Sequence, residues 1–535
     1  MILRLCLSLS MAALLAGVPA PALGAELDFP AGYEGYHTYA EMDAELDAAV
    51  ATYGSGTNAI LKRYLIGYSY EGRQIWAIKI SDRVARDQNE PEVLSVGMTH
   101  AREHITLEMN LYMIRLLTEN YGQPGALGQR VTELVNSREI WIIPMLNPDG
   151  AEYNISGGVF HGWRKNRQPI EGSDKIGIDL NRNFGFQWAC CGGGSNKPGS
   201  ARYRGTRPWE APETVVLRDF ILSRIVNGRQ QIRTAFNWHS YGEFVMWPYG
   251  YTKEDVPPTM TVDDHKAFVA LGKQMAALNG YKAKQGSDSY IYDGDFIAWA
   301  YGSQRIFAFT IEMFPKWGSG MGGFKPDDAV LDRETTRNRD MVLYLIEQAG
   351  CPYVAAGLQA THCGPLNDDF ETDRGWSFTG GSGGWERADP DASRTSAGPK
   401  QRGGASSGMA ELVTGASAGP SADANDVDGT TTALSPRFTL GGGDWRVRLR
   451  FTFGHDAASS AADFLRLSVV SGSTTTPIWT LPGKPSERNA RWRTKTFSLD
   501  DWAGKRIRLL LVASDGGTDN IVEAAIDDVR VFRVP

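Results

Sequence analysis

Two histidines and two glutamates stand out by where they fall against apolar runs. His100 and Glu103, three positions apart in His100-Ala101-Arg102-Glu103, follow the run at residues 93–98. His239 follows the run 232–238, and Glu312 closes the run 306–311. Imidazole and carboxylate are the side chains that bind zinc, and a catalytic zinc takes three protein ligands and keeps one position open for water. An isolated H-x-x-E is weak support, since such pairs often face solvent on a helix, and a single buried histidine or a salt-bridged glutamate is ordinary core chemistry. A carboxylate at the end of a buried strand is costly unless paired or functional. Three strand ends carrying zinc-competent groups are a different matter, because ligands of open α/β sheets gather outside the carboxyl ends of the strands.

Elements of that kind are legible along the first part of the chain. From Tyr36 to Ala349, short apolar runs alternate with longer helical stretches. Residues 93–98 read as a buried strand, 103–121 as a helix, and 140–143 as a strand ending in the turn Asn147-Pro148-Asp149-Gly150. Alternation of this type predicts an α/β fold with a mixed, mainly parallel sheet flanked by helices. After Cys363 the character changes. Residues 379–430 are rich in Gly, Ser and Ala, and then Trp445, Val447, Leu449, Phe451 and Phe453 alternate with Arg446, Arg448, Arg450 and Thr452. A period of two means a strand with one buried face, and similar runs recur at 464–470, 507–512 and 526–532. A second, all-β domain of sandwich or jelly-roll type is predicted.

A chain of 535 residues accommodates two such units. The net charge is −7 with no basic block, so the phosphate-neutralising surface needed for nucleic acid is not evident. Arg4, the apolar stretch 5–18, Pro21 and the small-x-small Ala22-Leu23-Gly24 predict a signal peptide over 1–24 and a mature start at Ala25. The apolar stretch falls short of the ~20 residues of a spanning helix, so a secreted protein, extracellular or periplasmic, is expected rather than a membrane-bound one. Four cysteines then remain: Cys190, Cys191, Cys351 and Cys363. An even count in an exported chain suggests two disulfides. Because adjacent cysteines fit disulfide geometry poorly, Cys190 and Cys191 are each expected to bridge to the Cys351/Cys363 segment. A zinc thiolate site lacks the C-x-x-C spacing it would need.

The motifs in order resemble the zinc metallocarboxypeptidase family of carboxypeptidases A, B and T, most closely the T branch, over Tyr36 to Cys363. His100-Ala101-Arg102-Glu103 and His239-Ser240-Tyr241 match the zinc-binding segments, which implies one Zn2+ held by His100, Glu103 and His239. Asp179, in Gly177-Ile178-Asp179-Leu180-Asn181-Arg182-Asn183, matches the carboxylate that orients the first histidine. The resemblance makes Glu312 the general base and Arg164 the arginine that stabilises the oxyanion. Asn181 and Arg182 match the pair gripping a substrate's terminal carboxylate, Arg102 an auxiliary substrate-binding arginine, and Tyr290, by its distance to Trp299 and Glu312, the capping tyrosine rather than Tyr292. Peptides or proteins with a free C-terminus are the implied substrates.

Ile297 falls at the matching pocket-floor position, favouring hydrophobic C-terminal residues, and Asp288 near it extends the expectation to basic ones. Asp82, Asp87, Glu90 and Glu92 cluster closely enough to offer calcium a second cation site, the alternative being an ordinary solvated acidic loop. Two features depart from the family: the short stretch after Ala25 leaves no room for a long inhibitory pro-segment, and the β domain is additional. The expected organisation is a catalytic domain at 25–365 and a β-sandwich accessory domain at 366–535, the latter either binding a carbohydrate or protein ligand or serving only folding and secretion, in a monomer. Asp368-Asp369-Phe370-Glu371 with Trp376, and the ending Ile526-Asp527-Asp528-Val529, resemble jelly-roll modules of secreted hydrolases.

Overall fold

The strands that carry the candidate residues belong to one eight-stranded sheet, described by a computed structural model that covers residues 28–533 apart from 57, 89, 227–228, 371–372, 381–382, 418–420 and 518–519. The predicted signal peptide, with Cys6 and Ala25, lies outside the described residues. The strands are β1 (Leu61–Tyr68), β2 (Gln74–Ile80), β3 (Glu92–Val96), β4 (Glu139–Ile143), β5 (Ile232–Gly242), β6 (Phe244–Trp247), β7 (Lys282–Gln285) and β8 (Phe307–Lys316), in the order β1-β2-β4-β3-β5-β8-β6-β7. The four central strands, β4, β3, β5 and β8, run parallel. Antiparallel pairs lie outside them at β1–β2, β2–β4 and β8–β6.

Every residue of β3 and β4 is buried, as strands covered on both faces must be. The pleat sends Val93, Phe236 and Phe309 into one apolar layer, and Leu94, Ala235 and Ala308 into the other. Helices Ile105–Asn120, Val262–Asn279 and Arg339–Gln348 supply the first layer, and Pro212–Ser223 supplies part of the second. The mixed, mainly parallel sheet expected from the sequence is the fold found. Among the described residues no helix is long and apolar enough to cross a membrane.

Beyond residue 366 the chain forms two antiparallel sheets. One is ordered Trp385–Ala388, Glu411–Thr414, Val522–Arg533, Trp445–His455, Arg493–Ser498. The other is ordered Ser377–Thr379, Thr430–Leu434, Arg506–Ser514, Phe464–Ser471, Thr474–Pro482. Trp445, Val447, Leu449, Phe451 and Phe453 enter their shared core with Leu465, Leu467, Leu509 and Leu511, while the intervening arginines point out.

Two expectations fail here. The disulfides are Cys190–Cys191 and Cys351–Cys363, not bridges between the two segments. The reason is tertiary: the loop at 190–192 is fastened to Asp293, whose Oδ2 accepts from Cys191 N (2.7 Å) and Gly192 N (2.9 Å). The 351–363 stretch is docked on helix Val262–Asn279, with the Tyr353 hydroxyl on Asp264 and His362 Nε2 3.0 Å from Asp263. The calcium expectation also finds no support. Asp82 accepts from Gln88, Arg224 grips Glu92 through Nη2 at 2.5 Å and Nε at 2.9 Å, and Glu90 turns toward Gly408 N at 3.2 Å. Asp87 and Glu92 do gather with Glu139, but Arg224 and Lys79, 2.8 Å from Glu139, already neutralise that group.

Candidate active site

Leaving β3, the chain turns at Gly97, where a Cβ would lie 2.2 Å from Asn110 Nδ2 and 2.8 Å from the Pro144 carbonyl. Only glycine fits that approach. The next residues form a turn rather than the first turn of the expected helix, which begins at Ile105. His100 and Glu103 therefore face each other across a bend, with His100 Nδ1 2.9 Å from Glu103 Oε1. On β5, His239 Nδ1 lies 3.0 Å from His100 Nδ1 and 2.9 Å from Glu103 Oε2. All three side chains are buried. Two ring nitrogens and one carboxylate converging on a single point form an N2O donor set, which fits zinc.

The surrounding groups fix this arrangement. Asp179 Oδ1 lies 3.2 Å from His100 Nε2, so that the hydrogen carried there leaves the Nδ1 lone pair toward the centre. Asp179 Oδ2 accepts from Arg164 Nε at 3.0 Å, and Arg164 Nη1 reaches His100 Nδ1 at 3.2 Å. Burial opposes charge on Asp179, yet the Arg164 guanidinium and the His100 hydrogen bond hold its carboxyl far below the usual range. Glu103 is likewise held low against its burial by His100 and His239.

The parallel register of β5 and β8 sets Glu312 beside His239 as its Cα partner. Burial, reinforced by the nearby Glu103 charge and opposed by His239, pushes the Glu312 carboxyl up to about 7. Such a value suits a group that must take up and release a proton near neutrality. Arg182 is buried, donating to the Asn181 carbonyl at 2.5 Å and to the Tyr290 hydroxyl at 2.7 Å. Its Nε has no hydrogen-bond partner among the described residues. Asn181 is pinned by its Oδ1, which accepts from Phe296 N at 2.9 Å. Tyr290 is 45% exposed, so a ligand can reach past it.

His100, Arg164, Asn181, Arg182, His239, Tyr290 and Glu312 all line one cavity of about 360 Å³. Glu103, bonded to both histidines, does not itself line it, and two other predicted residues fall elsewhere. Arg102 donates to the Gly162 carbonyl, stacks its guanidinium 3.8 Å from the Phe324 ring centre and lines an adjacent hollow of about 150 Å³. Ile297 is buried in helix Phe296–Gln304, in the apolar cluster of Leu180, Phe184 and Trp299, and does not line the cavity. Helix packing turns its side chain toward that apolar cluster. Met246, Lys284, Ser289 and Thr310 line the cavity and were not singled out, and Tyr292, set aside above in favour of Tyr290 as the capping tyrosine, lines it too. Met246 and Lys284 are register partners on β6 and β7, but only the sheet order shows which face holds the site.

An α/β sheet bearing an N2O donor set, a neighbouring carboxylate and a buried arginine defines a metal-dependent hydrolase. The family described as zinc carboxypeptidase matches residues 46–340. A zinc carboxypeptidase of Saccharothrix mutabilis subsp. capreolus is 44% identical over 331 residues, covering 62% of this chain and 73% of that protein. Carboxypeptidase A1 of Rattus norvegicus is 30% identical over 297 residues, covering 55% of this chain and 65% of that protein. Among solved structures, thrombin activatable fibrinolysis inhibitor is similar with a TM-score of 0.52 and 25% identity, over 59% of this chain and 74% of that one. The chain belongs to the zinc carboxypeptidase family.

Proposed function

We propose that this metallocarboxypeptidase releases amino acids singly from the C-termini of peptides and proteins. The observation that carries this is Arg182, buried and tied to Asn181 and Tyr290 in the same cavity as Glu312 and the two histidines. A planar guanidinium meets a carboxylate through two parallel hydrogen bonds, so a chain end seated there brings its last peptide bond to the reacting groups and an internal segment does not.

His100, Glu103 and His239 would hold zinc, with Asp179 orienting His100. Bound there, zinc supplies a Lewis acid that polarises the scissile carbonyl and acidifies water. Glu312 accepts a proton from the attacking water and delivers it to the departing amine. Arg164 offers its guanidinium to the developing oxyanion, a contribution of about 3 kcal/mol for a single donor in comparable sites. Tyr290 and Asn181 hold the terminal carboxylate with Arg182, and Arg102 lies in the neighbouring hollow, where upstream substrate residues would run.

The chain is proposed to be secreted after loss of residues 1–24 and to act as a monomer, with a catalytic domain at 25–365. Residues 366–535 would be an accessory β-sandwich, either for a carbohydrate or protein ligand or for folding and secretion alone. Ile297, on helix Phe296–Gln304, packs in the apolar core and Asp288 lines the cavity together with Lys284, so these two positions by themselves do not choose between hydrophobic and basic C-terminal residues. The test is hydrolysis of one peptide as its free acid and as its C-terminal amide. Rapid release from the acid alone, abolished by a chelator and restored by zinc, is the expected result; equal cleavage of both forms would refute exopeptidase action.

A further inference from the structure

The Tyr292 ring lines the cavity beside Arg182. This side chain is almost wholly buried, yet it lines the cavity. It stands in a slot made by glycines: a Cβ on Gly250 would lie 2.4 Å from the ring, one on Gly286 2.2 Å from the hydroxyl, and one on Gly193 2.7 Å from Tyr292 Cβ. Any larger residue at those three positions would displace the ring. Arg182 sits against it, with its guanidinium carbon 5.0 Å from the ring centre, and the Tyr290 ring is 5.2 Å away. Tyr292 N is also bound to the Gly250 carbonyl at 3.0 Å, which fixes the ring's origin.

The consequence follows from covalent connectivity. If Arg182 holds the terminal carboxylate, as proposed above, the side chain of the terminal residue begins one Cα away from it. With the scissile bond directed toward Glu312, that side chain is left the remainder of the cavity, which Met246, Ser289, Thr310 and Tyr292 help to line. Ile297 lies outside this space.

We propose that Tyr292 is the specificity-determining residue of this site: its ring closes the pocket short, so that the enzyme accepts small C-terminal residues such as alanine, serine and threonine and rejects phenylalanine, tyrosine and tryptophan. The inference rests on the carboxypeptidase reading and goes beyond it to the substrate class. Overfilling a packed apolar space is strongly disfavoured, and even one methylene changes discrimination by ~10–200-fold.

The test uses the full-length zinc-loaded enzyme and peptides that differ only in the last residue. Wild type should release alanine with a kcat/KM at least ~10-fold above that for phenylalanine, and Tyr292→Ala should shift the phenylalanine-to-alanine ratio upward by ~100-fold. Tyr292→Val provides a second, less drastic enlargement, with a smaller shift in the same direction. A wild type that prefers phenylalanine overturns the proposal whether or not either variant folds. So does a folded variant with an unchanged ratio, since general loosening would lower both rates together. Failure to release any terminal residue would instead refute the carboxypeptidase reading and this inference with it.

Discussion

Replacing Arg182 by alanine removes the one buried guanidinium bonded to Asn181 and Tyr290 in the cavity. Its charge is favoured over the cost of burial by Tyr290, Asp179 and Asp295, so it is cationic at any working pH. A terminal carboxylate held in bidentate fashion gains two charge-assisted hydrogen bonds of ~1.5–3 kcal/mol each. Their loss amounts to about 3–6 kcal/mol of transition-state binding. At 1.36 kcal/mol per decade this is a fall of ~10²–10⁴ in kcat/KM for a free-acid peptide. A C-terminal amide, which never makes that ion pair, should be almost unaffected, so the acid-to-amide ratio should collapse by the same factor. The assay is steady-state kinetics on matched acid and amide peptides, with zinc content measured in both proteins to exclude metal loss. If the ratio is unchanged while zinc remains bound, Arg182 does not grip the chain end and the proposed exopeptidase geometry is wrong.

Glu312→Gln keeps the shape and hydrogen bonds of the side chain but cannot accept a proton; turnover should fall by at least ~10²–10⁴ with zinc stoichiometry intact, measured by single-turnover kinetics and metal analysis. Asp179→Asn removes the charge that orients His100, and zinc affinity should drop ~10–100-fold in a chelator competition. His37 is raised to about 10 by its hydrogen bonds to Glu108, 2.8 Å from Nδ1, and then to Glu45, 3.1 Å from Nε2. Because its folded-state pKa lies above the unfolded value, that stabilisation is complete below pH 6.5 and is lost as pH rises through about 10. Thermal melts should therefore show His37→Gln below wild type at pH 7 and the two converging above pH 10.

Residue type and order were enough to indicate what the site contains. A buried strand exposes its last residue to the sheet's carboxyl edge, so apolar runs ending before His100, before His239 and at Glu312 placed these groups at one edge without coordinates. The alternation from Trp445 to Phe453 showed a half-buried strand for the same reason: a period of two is local. What tertiary structure alone decided depends on contacts between segments far apart in the chain. Whether Cys190 meets Cys191 or Cys363 is set by which surface each segment docks on, here Asp293 and helix Val262–Asn279. Whether the acidic run 82–92 collects a cation is set by Arg224, more than a hundred positions later. Ile297 and Tyr292 lie five residues apart, and the packing of one helix against the sheet sends Ile297 into the core while Gly250 and Gly286, from two different segments, leave room for the Tyr292 ring at the cavity. Side-chain chemistry is a property of the residue, but the space left for a substrate is a property of every neighbour at once.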